Sequence, residues 1–336
     1  MNMKTIIKHI IPFLFAFCAV SNGFTQTTTK VVITSGYPSA GIKSAVEKNI
    51  SVLLNNLAKA YEEDGTSLNL KSATVSEEAN EAINDIWSSA KFYCTKTEIR
   101  EILIKTSTGY QVRNIPVSVA AEDEEEQEQE IVIELDKKGI IKDLHFSLNY
   151  HQYQNVMTAN GVVDKTRREI ILNFMEMLKT AYMRKDLKFI DDVFSEKALI
   201  IVGKTVQKTD KPVLTMNSNK ETFARQSTGG TVYTKLTKQE YLAKLKTVFT
   251  NNKSIQLKFE DIEVERHSKE GYESFYGVHL KQHWKADAYK DYGLMFFLIQ
   301  FRENDHPLIW VRTWQDANTT NESDKIGMGD FRIRPE

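Results

Sequence analysis

The stretch from Ser254 to Asp316 constrains the fold of this chain more than any other. Three of the four tryptophans lie in it, together with four strand-like runs in close succession: Ile255–His267, Tyr272–Ala286, Tyr292–Arg302 and Pro307–Gln315. Short connections between strands favour antiparallel pairing, and a sheet with one apolar face has to be covered. The stretch therefore predicts a curved antiparallel sheet that needs a helical cover.

Helical segments precede the strands in both halves of the chain. Apolar residues recur at steps of three and four in Ile42–Glu63 and in Arg168–Lys185, which predicts two long amphipathic helices. Glu77–Ser88 and Lys238–Thr250 show the same periodicity and predict two shorter ones. The second half also holds a short helix, Leu187–Phe194.

The first half has its own predicted strands, at Val31–Ile33 (an edge strand), Lys91–Lys105, Tyr110–Ala120, Ile131–Asp136 and Ile140–Asn149. The run Glu122–Glu130 holds seven acidic residues in nine, which predicts a solvated loop between two strands. In the second half, Ala198–Val202 is a short apolar strand, and the polar Gly203–Lys235 predicts a long loop or a loose hairpin.

A weak internal repeat relates the two halves. Ile83–Trp87 matches Leu245–Phe249, and Lys96–Tyr110 matches Lys258–Tyr272 at the same offset of 162 residues. We therefore expect two tandem domains, the second more complete. Their predicted bounds are 42–157 and 160–316, with a lead-in at 26–41 and a tail at 317–336.

The first 25 residues are typical of a secretory signal. Lys4 and Lys8 precede the short apolar segment Ile10–Val20, which is too short to span a membrane comfortably. Cys18 raises a lipoprotein alternative, which Phe17 before it disfavours. We expect an exported protein, periplasmic or extracellular, that is soluble after signal cleavage and not an integral membrane protein.

Cysteine usage and charge narrow the function classes. Removal of the signal leaves Cys94 as the sole cysteine, which excludes an intrachain disulfide and predicts a buried, inert thiol. The net charge of −1, or −3 without Lys4 and Lys8, gives no electrostatic reason to expect nucleic-acid binding.

The element order of the second half resembles the NTF2-like superfamily. The residues that carry the resemblance are Arg168–Lys185, Leu187–Phe194, Ala198–Val202, Lys238–Thr250 and the four final strands. The resemblance implies an α+β fold of two tandem, helix-covered, strongly curved antiparallel sheets, each a cone that often encloses a pocket. Members include isomerases, hydrolases, dehydratases and proteins that only bind. A cystatin-like helix-on-sheet unit is the alternative fold.

The candidate site residues lie on two strands and near two helices. His279 and His283 share a strand face about 13 Å apart, too far to bind one metal ion, so no metal or cofactor is predicted. They face either solvent or a ligand. Trp310, Arg312 and Trp314 alternate along the last strand, where they suit either an anionic ligand or an interdomain contact. Tyr182 and Asp191 are available as acid–base groups near the helices.

These features favour an exported binding or interaction module of the cell envelope that lacks covalent catalysis. Its partner would be a small apolar or anionic ligand, or a protein in the envelope. One alternative is a small-molecule isomerase or hydrolase that uses Tyr182, Asp191 or His279 in the second cone. Another is a purely structural scaffold. A polar pocket with a titratable side chain would favour the enzyme, and a cone filled by its own side chains would favour the scaffold.

Overall fold

The structure, a computed structural model, describes residues 28–106, 108–121, 124–159, 163–205, 231–287, 289–301 and 307–331. The helices are α1 (Ala40–Glu62), α2 (Glu77–Ser89), α3 (Tyr150–Thr158), α4 (Lys165–Met183), α5 (Leu187–Val193) and α6 (Lys238–Asn251). The strands are β1 (Lys30–Ile33), β2 (Phe92–Cys94), β3 (Glu98–Glu101), β4 (Ile104–Lys105), β5 (Gly109–Ala121), β6 (Glu124–Asp136), β7 (Ile141–Phe146), β8 (Phe194–Thr205), β9 (Thr231–Leu236), β10 (Ile255–Arg266), β11 (Phe275–Ala286), β12 (Tyr289–Phe301) and β13 (Pro307–Asp316). The predicted signal segment lies outside the described residues.

Two large sheets dominate the architecture. The first sheet has the strand order β2-β5-β6-β7, with β4 also paired to β5, and the second has the order β10-β11-β12-β13-β8-β9. In the first sheet, β2 pairs antiparallel with β5, and β5, β6 and β7 form an antiparallel meander. In the second, β10 to β13 form an antiparallel meander, and β13 and β8 pair in parallel. The predicted α+β class with two helix-covered curved sheets is confirmed. The domain bounds remain a prediction.

Bulges bend both sheets. The register of β10 against β11 shifts between Glu260 and Glu263, and that of β5 against β6 shifts between Val112 and Ile115. Each bulge contains a residue with positive φ, Asp261 (50°) or Asn114 (60°). Asp and Asn tolerate this conformation better than most residues. A bulge increases the local twist and bends its strand, which curves each sheet towards its helices.

Helix α4 is buried between the two halves. It contacts β7 of the first sheet and β10 of the second. Its apolar residues, such as Ile171 and Leu178, are buried, and so are the polar side chains of Glu176, Lys179 and Thr180. A helix that is buried on most of its surface needs partners for such polar groups. The first sheet supplies them.

The polar side chains of α4 close the outer edge of the first sheet. The Phe146 N–H of β7 donates to Thr180 Oγ1 at 2.9 Å, and the Leu148 N–H donates to Glu176 Oε1 at 2.8 Å. In the second sheet, β8 pairs with the corresponding edge of β13. Helix α4 of the second half therefore covers the β7 edge of the first sheet, whereas strand β8 covers the equivalent edge of the second sheet.

A buried ion pair strengthens this junction. Arg113 Nη2 donates to Glu176 Oε1 at 2.5 Å, and Nη1 lies within hydrogen-bond distance of Gln111 and Asn173. The guanidinium also stacks over the Tyr153 ring at 4.4 Å. Burial alone would raise the pKa of Glu176, but His145 and Arg113 outweigh it and lower that pKa.

The first half departs from prediction at the run Lys91–Lys105 and at helix α3. The run predicted as one strand, Lys91–Lys105, is broken into β2, β3 and β4, and β3 pairs with β1 in a separate parallel sheet. The predicted edge strand at Val31–Ile33 is confirmed as part of β1. Helix α3 had no sequence prediction, because its nine residues bury only Val156 and give a weak periodic signal.

The acidic run is a strand and not a loop. Residues 124–130 form the first half of β6, and Glu130, Gln129 and Glu128 face Pro116, Val117 and Ser118 of β5 in the ladder. The loop prediction was wrong because backbone pairing with the apolar β5 extends the hairpin beyond the core. Glu128 is exposed and Glu130 is half-buried.

Other expectations can be compared directly. Strands β8 and β9 form an antiparallel hairpin, as the loose-hairpin interpretation of Gly203–Lys235 expected. Cys94 is a buried free thiol whose pKa is raised by burial. Within the described ranges, no helix combines the length and apolar content that a membrane crossing requires.

Candidate functional site

A cavity of about 1190 Å³ lies where the second sheet meets the edge of the first. The second sheet contributes the start of β10, the end of β11, the start of β12 and the end of β13, and the first contributes β6. Lys179 of α4 also lines it. Its lining includes the side chains of Lys179, Lys258, Trp284, Lys285, Asp291 and Trp314. This size suits a small organic ligand.

Trp314 forms the floor of the cavity because two glycines make room for its indole. A Cβ at Gly293 of β12 would lie 2.0 Å from Trp314 Nε1, and one at Gly203 of β8 would lie 2.6 Å from Cε3. The ring therefore lies across both neighbouring strands, and only glycine permits such a close approach. A flat indole in a cavity wall is a stacking surface for a planar ligand.

Arg312 lies two residues before Trp314 on the same face of β13. It is 6% exposed, and its Cζ lies 5.1 Å from the centroid of the Tyr241 ring. Neither Nε nor Nη1 has a hydrogen-bond partner among the residues that the structure describes. A buried guanidinium with unpaired donors is costly, and an anionic group within reach would satisfy it.

Asp291 is one of four acidic residues that line the cavity, with Glu128, Glu130 and Asp316. It pairs with Trp284 in the β11–β12 ladder, and its Oδ1 has no hydrogen-bond partner in the described part of the chain. Burial raises the pKa of Asp291, although Tyr289 and Arg312 act in the opposite direction. The Trp314 Nε1–H likewise makes no hydrogen bond within the described chain, but it lies near the Asp291 carboxyl and acts to lower its pKa. Three polar groups with spare hydrogen-bonding capacity thus lie on neighbouring strands.

Two tyrosines close the inner end of the site. The hydroxyls of Tyr182 on α4 and Tyr241 on α6 lie 2.6 Å apart, and the Tyr182 ring meets Trp284 edge-on at 6.0 Å. Burial raises the pKa of Tyr241 well above its usual value, so its hydroxyl stays protonated at neutral pH. Behind them, buried side chains such as Met295 and Phe297 occupy the inner part of the cone, whereas the cavity at its mouth is open.

Of the seven residues proposed from sequence, Tyr182, Arg312 and Trp314 lie close together, while Trp314 and His283 line the cavity itself. Trp310 lies apart because the β12–β13 register shifts at this position. The bulge turns its indole to the opposite face of the sheet, where it packs with Phe275 and its Nε1 donates to Gln300 at 2.8 Å. The expectation that all three β13 residues share a face was therefore wrong for Trp310.

The other three residues also lie away from Arg312. Asp191 of α5 forms an ion pair with Lys238 at 2.7 Å. His279 and His283 lie on the opposite face of β11 from Trp284, where Nε2 of His279 is 3.0 Å from Glu265 and Nε2 of His283 is 2.9 Å from Glu260. Their solvent-side interpretation fits this arrangement, although His283 also lines the rim of the cavity.

Sequence reasoning missed Asp291, Tyr241 and Trp284 as members of the site. Asp291 precedes the apolar part of β12 and resembles an ordinary strand-start residue until its ladder partner is known. The strand alternation that grouped Trp284 with Gln282 was the one available signal. In the described residues, no three His, Cys, Asp or Glu side chains converge in a way that would hold a metal ion.

Comparison with known proteins gives structural likenesses only. No protein-family model and no curated protein matches the chain. An NTF2-like protein from Cytophaga hutchinsonii matches 44% of this chain and 97% of its own, at 12% identity and a TM-score of 0.29. ActVI-ORFA from Streptomyces coelicolor matches 45% of this chain and 96% of its own, at 10% identity and a TM-score of 0.29.

A third solved structure, Bd1075 of Bdellovibrio bacteriovorus, is larger than the matched region. The match covers 45% of this chain and 41% of that protein, at 13% identity and a TM-score of 0.31. NTF2-like structures are thus among those that the chain resembles over about half its length. At TM-scores near 0.3, these likenesses give no information about the site.

Proposed function

We propose that this chain is a binding protein for a small molecule that joins an anionic group to a planar apolar ring. The second half holds the ligand in the cavity above Trp314. The protein acts in the cell envelope after export, and its binding role requires no covalent chemistry.

The observation that carries the proposal is the state of Arg312. A buried, always-charged side chain whose Nε and Nη1 have no described partner loses solvation without compensation. A carboxylate, sulfonate or phosphate would accept from these donors, and a charge-assisted bond of this kind is the strong class of hydrogen bond.

The surroundings of Arg312 define the rest of the ligand. The indole of Trp314 and the ring of Trp284 offer apolar surface for a planar ring. Asp291 Oδ1 would accept from a hydroxyl or amide donor, and Trp314 Nε1 would donate to a carbonyl or ether oxygen. The ligand class is therefore an aromatic or conjugated acid with at least one further polar group.

Tryptophan fluorescence tests the proposal directly. The purified protein is titrated with aromatic carboxylates, sulfonates and phosphates of graded size, each beside its neutral amide or alcohol. We expect the acids to bind and Arg312→Met to weaken them about tenfold or more, since a hydrogen bond to a charged group contributes about 1.5–3 kcal/mol. Arg100→Met, at an arginine whose side chain is 63% exposed, is the matched control and leaves binding unchanged.

A substitution at Asp291 tests whether the affinity for anions changes in the expected direction. Asp291→Asn removes a negative charge near Arg312, so anions should bind more tightly at neutral pH. The proposal is wrong if no acid in the panel binds, or if acids and neutral analogues bind equally and Arg312→Met changes neither.

A second function rests on the raised pKa of Asp291. A carboxyl whose pKa is raised by burial is suited to general acid–base work near neutral pH. In the isomerase or hydrolase alternative, Asp291 replaces Asp191 and His279, which lie elsewhere, and Tyr182 orients the substrate. NMR of each bound ligand over time would detect turnover. If turnover occurs, Asp291→Asn should reduce it about 100-fold or more while binding persists.

A further inference from the structure

Lys179 is a buried amine that the proposed anion site does not use. It lies on α4 one turn before Tyr182 and is 3% exposed. Its Nζ donates to Gln129 Oε1 at 3.2 Å and to the Ser147 carbonyl at 3.1 Å. Both acceptors are neutral, and Lys179 forms no ion pair with any described residue. The ammonium form therefore lacks the counter-charge that burial normally requires.

The charged groups around Lys179 come from three elements. Glu176 lies one turn earlier on α4 but is engaged by Arg113, Glu130 lies on β6, and Lys258 lies on β10. Burial lowers the pKa of Lys179 to about 8, and Lys258 acts in the same direction against the two carboxylates. With this pKa, a substantial fraction of the Lys179 amine is neutral near pH 8.

The class of compound that Lys179 would meet follows from the cavity that it lines. Lys179 lines the same cavity as Trp284, Asp291 and Trp314. We propose that Lys179 is a nucleophile that forms an imine with an aldehyde or ketone bound in this cavity. The proposal rests on the cavity of the proposed function, though it is independent of the anionic group that Arg312 would bind.

The step balances without a further reactant. The Nζ lone pair attacks the carbonyl carbon, so a C–N bond forms while the C=O π electrons move to oxygen. That oxygen takes up a proton and the nitrogen loses one, which gives a carbinolamine. Loss of the hydroxyl as water, with a second proton from nitrogen, gives the C=N bond. One amine and one carbonyl yield one imine and one water, with no change of oxidation state.

Reductive trapping on the native protein tests the proposal. Propionaldehyde, which is uncharged, is added with sodium cyanoborohydride, and modified lysines are located by peptide mass spectrometry over time. At pH 7 an amine of pKa about 8 is neutral roughly 300 times more often than one of pKa 10.5. Burial limits the access of the aldehyde to Lys179, which reduces the rate advantage that the larger neutral fraction gives. We therefore expect Lys179 to react at least about tenfold faster than Lys258 and Lys285.

Lys258 and Lys285 are internal controls because they line the same cavity. The rate at Lys179 should level off above about pH 8, whereas reaction at an ordinary lysine should continue to rise. In urea all three lysines should react alike. The proposal is overturned if Lys179 in the native protein reacts no faster than Lys258, or if its rate shows no plateau.

A second probe separates this proposal from the anion site. Glyoxylate carries both an aldehyde and a carboxylate. If both proposals hold, Arg312→Met slows trapping by glyoxylate but leaves trapping by propionaldehyde unchanged. Failure of the anion site alone would leave Lys179 reactive to both probes and insensitive to Arg312→Met. Failure of the imine alone would leave anion binding intact with no preferred lysine.

Discussion

Arg113 on the first sheet and Arg312 on the second are both buried, and the two arginines differ in what surrounds them. Arg113 in the first half is 7% exposed and Arg312 in the second is 6% exposed. Arg113 has a carboxylate at 2.5 Å, two amide oxygens and an aromatic ring. Arg312 has the Tyr241 ring, the Tyr182 hydroxyl and the more distant Asp291 charge, but no described hydrogen-bond partner for Nε or Nη1.

This difference separates an arginine that the fold pairs from one that keeps unpaired donors. Partners from β5 and α4 satisfy Arg113, so it joins the halves and has little capacity left for a ligand. Arg312 keeps its capacity, and it lies beside a cavity floored by Trp314. The first half has no tryptophan in its sheet and no counterpart of this floor. Equal burial of the same residue type therefore indicates opposite roles once hydrogen bonds are counted.

The largest expected effect is the loss of the structural arginine. Arg113→Met leaves Glu176 buried and charged without its main partner, which should lower the free energy of unfolding by about 3–5 kcal/mol. Urea unfolding followed by circular dichroism measures it, with Arg100→Met as the exposed control. A loss below about 1 kcal/mol would mean that His145 or water compensates, and the contrast between the arginines would fail.

The opposite sign is expected for the functional arginine. Arg312→Met replaces unpaired buried charge with apolar volume, so the free energy of unfolding should stay constant or rise by about 1–3 kcal/mol while anion binding is lost. The same unfolding measurement checks it beside the fluorescence titration. A destabilisation as large as that of Arg113→Met would make Arg312 a structural residue.

An intermediate effect is expected at the edge of the first sheet. Thr180→Val keeps the volume of the side chain but removes the hydroxyl that accepts from the Phe146 N–H, and it should lower the free energy of unfolding by about 1–2 kcal/mol. Thr247→Val on the exposed face of α6 is the control and should change stability little. Hydrogen exchange at Phe146 should accelerate in the first variant alone.

The smallest expected effect is a change in the pH dependence of stability at Asp291. Its pKa is raised in the folded state, so its stabilising contribution is complete below the unfolded pKa and is lost as pH rises through the folded pKa. As pH rises from 4 to 7, the wild type should therefore lose stability relative to Asp291→Asn, so that the unfolding free energy of the variant minus that of the wild type increases. Equal pH profiles for the two proteins would place Asp291 outside the buried site.

Much of the fold followed from periodicity. The long helices α1 and α4 and the final strands β10 to β13 were predictable because burial on one side imposes steps of three and four, or of two, over many residues. The acidic half of β6 was not, because its pairing depends on β5 and not on its own side chains. The division of Lys91–Lys105 was hidden for a similar reason, since β3 pairs with the distant β1.

The site was predictable only in part. Alternation along β13 correctly placed Arg312 and Trp314 on one face. It failed for Trp310, because the bulge at this position has no signal in the sequence. Asp291 and Tyr241 entered the site from elements that meet β13 only in three dimensions. Lys179 carries no sequence signal, because its reactivity depends on burial by β6 and β7 from the other half.

The sequence by itself determined the long helices, the final strands, the tandem arrangement of two helix-covered sheets and the richer second sheet, because these depend on local periodicity and composition. The tertiary structure decided which polar groups are satisfied. It pairs Arg113 with Glu176 and leaves Arg312 without such a partner, and it buries Lys179 among neutral oxygens. Hydrogen bonding and desolvation act between residues far apart in the chain, so only the folded arrangement separates a structural charge from one that is free to bind a ligand.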